Sequence, residues 1–202
     1  YDTISIDGGT GSVVVASITT RGASGPVSTT APTDGHDGGN VAVSGATIAI
    51  GSVDSRGGDA SAIATGTTEI TREGGDAGAI ALAAGQITLT SGLDASGGAG
   101  AANSPSLVSG LAGDSADVLV DGALLLAANA TTGIVNSIRG DHVEVTGAVS
   151  RADIRAAGET ALVVTAKRGI GFGGDLSAGR IDLELASGNL DLAAGGVSQV
   201  SA

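Results

Sequence analysis

The sequence predicts an all-β solenoid, and three observations lead there. Apolar residues alternate at period two in short runs, a glycine separates paired runs, and the same block returns along the 202 residues. Period-two alternation argues for strands with one buried face. A glycine between two such runs marks a bend where a side chain is excluded. Apolar residues at helical spacing do not persist beyond one turn, so no amphipathic helix competes.

The block is two apolar residues spaced by two, a glycine, two more spaced by two, and a further apolar residue before a polar turn. It reads Val41, Val43, Gly45, Ile48, Ile50, Val53, then Ile80, Leu82, Gly85, Ile87, Leu89, Leu93. It continues as Val118, Val120, Gly122, Leu124, Leu126 and as Val143, Val145, Gly147, Val149, Ile154. Looser copies begin at Ile4, Leu162 and Leu183. The later copies give a basic coil of roughly 19 to 21 residues. The first three units are nearly twice as long, and the excess is assigned to long Gly-rich loop insertions at one corner, residues 19–40, 54–79 and 94–117. Pro26, Pro32 and Pro105 all fall there, as expected of a residue excluded from inner strands. The alternative is that each long unit is two coils, with Ile63 and Ile70, or Leu107 and Val108, as the inward residues of the second. About seven coils at about 4.8 Å would make a rod segment about 34 Å long, in which no coil is stable alone.

Composition fixes the kind of core. Hydrophobic residues make up 42% but aromatic residues only 1%, so Val, Ile, Leu and Ala supply nearly all of it. Small aliphatics fill only thin, closely spaced layers. Glycine is abundant without a G-X-Y period and with little proline, which excludes collagen. The absence of Cys removes disulfides, thiolate zinc sites and iron–sulfur ligation. A net charge of −12 lacks the basic footprint that nucleic acid requires, so no nucleic-acid partner is expected. No apolar run approaches the roughly 18 residues of a membrane span, and two aromatic residues cannot form the girdles of a membrane barrel. The chain opens at Tyr1 without a methionine or a signal-peptide pattern. Residues 1–202 are read as one domain, a segment of a longer chain or a repeating assembly unit.

The strand motif Ile80-Ala81-Leu82-Ala83-Ala84-Gly85-Gln86-Ile87-Thr88-Leu89 and the turn Leu93-Asp94-Ala95-Ser96-Gly97-Gly98 resemble the large secreted exoproteins of bacteria related to filamentous haemagglutinin. That resemblance implies a right-handed parallel β-helix, export from the cell, and work as an adhesin or surface filament. The Gly/Asp-rich stretches are also similar to calcium-binding repeats-in-toxin sequences, but Gly74-Gly75-Asp76-Ala77-Gly78-Ala79 places its aspartate three residues early, so those ligands are not carried over.

Candidate sites are few. Arg139-Gly140-Asp141 is an integrin-type tripeptide before the strand at Val143, where a cation and an anion on a tight turn would meet a receptor. The preferred reading of the same residues is a corner turn whose Asp141 bonds its own backbone. Asp37, Asp76 and Asp114, with Asp34, Asp54, Asp59, Asp94 and Asp117, lie in or beside the insertions. If the corners stack, their carboxylates converge and calcium is the possible cofactor; otherwise they cap turns and keep the rod soluble. His36 and His142 are the only histidines, and no nucleophile-elbow, zincin or phosphate-loop motif occurs. Lys167-Arg168 is the only adjacent basic pair and is read as surface decoration.

These observations lead to a non-enzymatic, extracellular or bacterial cell-surface β-solenoid, an adhesin stalk or surface structural element. Its partners are a host or neighbouring-cell surface receptor or glycan, or other copies of itself end to end. The alternatives are a filament subunit joined by β-strand addition and, third, a polysaccharide-active β-helix enzyme, for which Tyr1 and Phe172 are the only rings available as sugar platforms.

Overall fold

A computed structural model of the chain describes residues 2–26, 32–61, 70–102, 110–127, 135–152 and 159–192. Among these residues there is no helix, and the fold is all-β as the alternation predicts. Twelve strands, every pairing parallel, form one sheet. The remaining two, β5 (Thr71–Arg72) and β8 (Ala101–Ala102), form a small antiparallel pair.

The large sheet consists of three ladders. The first runs through β1 (Ile4–Asp7), β3 (Val41–Ser44), the start of β6 (Ile80–Leu89), the start of β9 (Val118–Leu126), the end of β10 (Asn136–Val145), the end of β12 (Thr160–Phe172) and β14 (Asn189–Leu192). Ile4, Val41, Ile80, Val118, Val143, Ile170 and Leu190 stand opposite one another in succession. The second ladder runs through β2 (Ser12–Thr19), β4 (Thr47–Asp54), the ends of β6 and β9, and β11 (Val149–Arg151), with a bridge to Leu176. The third takes the ends of β2 and β4, then β7 (Gly92–Asp94), the start of β10, the middle of β12 and β13 (Arg180–Leu185).

All three ladders turn one face onto a single aliphatic cluster. Strand β6 shows how the sequence does this: Ile80, Leu82, Ile87 and Leu89 are buried while the residues between them are not. Phe172 fills an inward position at the end of β12. Buried Asn136 donates from Nδ2 to the Leu89 carbonyl at 2.9 Å and the Ser91 carbonyl at 3.2 Å, adding a second bond to carbonyls that also accept the Ala127 and Ser137 N–H groups where the chain leaves the second ladder.

Two details of the block reading change. Leu162 stands opposite Asn136 and Leu183 opposite Val164, so these two copies begin on the third ladder, not the first. On the first ladder their places are taken by Ile170 and Leu190. Period-two alternation is the same on every face, so it cannot say which face a run joins. Nor does the glycine corner interrupt the strand: Gly85 lies within β6 at the bend between the first and second ladders, where the pairing with β9 shifts register. Gly122 occupies the same bend within β9, with φ of 143°.

The insertions were expected as loops. Their described residues instead form three ordered arms, 20–26 with 32–40, 55–61 with 70–79, and 95–102 with 110–117. Equivalent outgoing strands bond in parallel, Gly22 N–H to the Arg56 carbonyl at 2.9 Å and Gly57 N–H to the Ser96 carbonyl at 3.1 Å. Returning strands do likewise, Gly35 to Glu73 at 2.9 Å and Gly74 to Leu111 at 3.0 Å. Outgoing and returning strands bond across the layer in a chain, His36 to Ala23, Gly58 to His36, Gly75 to Gly58, Gly98 to Gly75 and Gly113 to Gly98. Donors to a given neighbour recur every third residue, as at Gly35, Gly38 and Val41, which is the repeat of an extended polyproline-II-type strand. The glycines are there for close approach. A Cβ on Gly58 would lie 2.1 Å from the Ala23 oxygen, and one on Gly75 would lie 2.0 Å from the His36 oxygen. This out-and-back course is not a second coil in the described residues; Ile63, Leu107, Val108 and Pro105 lie outside them, and Ile70 is half-buried.

Candidate functional site

The arms present one acidic face. On the returning strands the residues three apart that point out are Asp34, Asp37 and Asn40, then Glu73 and Asp76, then Asp114 and Asp117. Four of these side chains are used by the next arm. Asp34 Oδ1 accepts the Glu73 N–H at 2.9 Å, Asp37 Oδ1 the Asp76 N–H at 2.6 Å, Asn40 Oδ1 the Ala79 N–H at 2.8 Å and Asp76 Oδ1 the Asp114 N–H at 2.8 Å. Asp37, Asp76 and Asp114, the candidate calcium residues, are therefore brought into one row, with Asp37 and Asp76 tied to backbone. Asp37, Gly38, Asn40, Asp76 and Ala77 line a shallow depression there. Among the described residues no group of three His, Cys, Asp or Glu is gathered closely enough to hold a metal ion.

The tripeptide lies inside β10, at the corner where this strand passes from the third ladder to the first. Arg139 is exposed, Gly140 buried, and Asp141 is 5% exposed. A register shift between Gly140 and His142 interrupts the alternation and turns Asp141 inward. Its carboxylate is taken by the Arg168 guanidinium through both Nε and a terminal nitrogen. That hydrogen bond, and the charge behind it, holds Arg168 above its ordinary pKa. Arg139 and Asp141 thus point to different surroundings and do not form one presented pair. His142 and His36 are exposed.

Most cations of the chain are occupied. Arg56 bonds Asp54 at 2.7 Å and lies 3.7 Å from Asp94, Arg21 pairs with Asp59 and Arg180 with Asp182. Arg72 donates to the Pro32 and Thr71 carbonyls. Arg139 and Lys167 are exposed and form no ion pair among the described residues. Both line one groove where the third arm meets β10, β12 and β13, together with Ser96, Ser115, Thr165 and Glu184. Thr165 Oγ1 holds Glu184 Oε2 at 3.1 Å. A second groove runs along the outer side of the first arm, past Arg21, Gly22, His36, Asp37 and Gly39.

The sequence reading placed Lys167 on the surface but not in a groove. The groove exists because 140–142 return directly to the first ladder with no arm, leaving a step below the third one. Compared with protein-family models, curated proteins and solved structures, the chain matches none.

Proposed function

We propose that the three ladders are the faces of a right-handed parallel β-helix of about seven coils, serving outside the cell as an adhesin stalk or surface structural element without enzymatic activity. The observation that carries this reading is the combination of stacked parallel strands on one aliphatic cluster with arms that carry their acidic residues outward. Parallel ladders make every level bond to the next, so pulling along the axis loads many hydrogen bonds together. The arms add a second, side-chain-poor layer that widens the surface without widening the core. Recognition then falls to the outward residues of the arms, where side chains are free to vary.

Adhesion under flow tests this. Beads coated with the chain are expected to stay on animal cells or neighbouring bacteria longer than beads carrying an unrelated acidic protein at equal density. Equal retention on every surface tried overturns the adhesive role.

A further inference from the structure

The glycine-rich layer is open on two sides, and the sides are unlike. On the first arm, the carbonyls of Arg21, Ser24, Asp34 and Asp37 accept no hydrogen bond among the described residues. Their equivalents on the second arm, Arg56, Asp59, Glu73 and Asp76, accept from Gly22, Gly25, Gly35 and Gly38. On the third arm, the N–H groups of Gly100, Ala112 and Ser115 donate to nothing described, and that of Gly97 reaches only the Ser115 hydroxyl at 3.3 Å. Their equivalents, Gly57, Ala60, Gly74 and Ala77, all bond the third arm. Among the described residues, one four-bond contact is therefore made twice and left half built at each side.

The donor side borders the groove that holds Arg139 and Lys167. The acceptor side belongs to the arm that carries Asp34 and Asp37. Leu111, next to Ala112, is 72% exposed and would be covered by anything seated there. We infer that this groove receives the first arm of a second copy of the chain. Its four open carbonyls meet the four outward N–H groups, and its Asp34 and Asp37 carboxylates face Arg139 and Lys167. The third arm then donates to the incoming arm as the first arm donates to the second. Strands β9 to β14 continue the ladders past the third arm, so a copy stacked in line collides with them, and the incoming arm enters from the side. Contacts within the layer already run both parallel and antiparallel, so either direction of entry keeps the bonds. This association is lateral, unlike end-to-end addition of strands, and does not depend on adhesion.

Sedimentation of the purified chain from about 1 to about 300 µM tests it, at an ionic strength where a Debye length of about 8 Å screens the net repulsion. Association that rises with concentration is expected, weakened about tenfold or more in R139E/K167E and in D34N/D37N, whose amides keep the acceptor. Ala112→Pro removes one open donor without breaking an internal bond and should weaken it as well. Sedimentation as a monomer throughout overturns the inference, as does association unchanged in the groove variants. Binding of polygalacturonate lost in R139E/K167E, with no self-association, assigns the groove to an anionic polymer and overturns it too.

Discussion

Gly58→Ala and Gly85→Ala make the same chemical change at two sites that the structure treats in opposite ways. At Gly58 the added carbon would lie 2.1 Å from the Ala23 oxygen and 2.5 Å from its carbonyl carbon, both backbone atoms with no room to yield. Relief requires the first and second arms to part by about 1 Å. That lengthens Gly22 to Arg56 and Gly25 to Asp59, each 2.9 Å, and Gly58 to His36, at 2.8 Å. Three hydrogen bonds at about 1 kcal/mol each put the loss near ~3 kcal/mol. For a chain of this size that lowers the melting temperature by roughly 6–12 °C. At Gly85 the nearest atom is the Ala46 oxygen at 3.5 Å, an ordinary contact, and φ is not in the left-handed region. Alanine there restricts the unfolded chain and adds about 0.4–1 kcal/mol. Calorimetry or urea unfolding of both variants gives the comparison, and hydrogen exchange shows whether the loss begins in the arms. Equal stability of the two variants would refute the close-packed account of the layer.

Three further outcomes follow from the core and from charge. Ile87 is fully buried, and Ile87→Ala should cost about 2–5 kcal/mol in urea unfolding. Asn136→Ala removes two side-chain hydrogen bonds from the Leu89 and Ser91 carbonyls, which keep their bonds from the Ala127 and Ser137 N–H groups, so the loss is about 1 kcal/mol per bond by the same assay. The Arg56 guanidinium bonded to Asp54 holds that carboxyl below its ordinary value of 3.8. A lowered folded value stabilises the fold above the unfolded value and is lost as pH falls through the folded one. Arg56→Gln should therefore be less stable than the parent from neutral pH down to about 4, and the gap should close below that; a gap that is constant down to pH 2 contradicts the pairing.

The aliphatic ladders were legible because burial on one face of a strand imposes alternation, and Ile80, Leu82, Ile87 and Leu89 display it directly. Which ladder a run joins was not legible, as Leu162 and Leu183 show, since all faces share one period. The insertions were legible as excursions from the coil, but their internal order was not, for a different reason. Their cohesion comes from backbone bonds between chains without side chains, so hydropathy carries no trace of it. A signal was nevertheless present in glycines three apart, at 22 and 25, 35 and 38, 75 and 78, 97 and 100, and 110 and 113. That is the spacing of an extended three-fold strand, too short in each segment to register as a period. Asp37, Asp76 and Asp114 fall in one row because the Asp37 and Asp76 carboxylates accept the N–H groups of Asp76 and Asp114. The groove that gathers Arg139 and Lys167 depends on the step below the third arm, which no local pattern encodes.

Within the arms, the glycines set against neighbouring backbone, such as Gly58 and Gly75, admit no larger side chain, whereas outward positions such as His36 and Glu73 meet no such constraint. Mutation is thereby partitioned: drift at those glycines is purged by collapse of the layer, and drift at outward side chains that bond no neighbouring backbone is far better tolerated. A lineage carrying such a chain can rewrite what its surface shows to an antibody or a receptor while the platform beneath stays fixed.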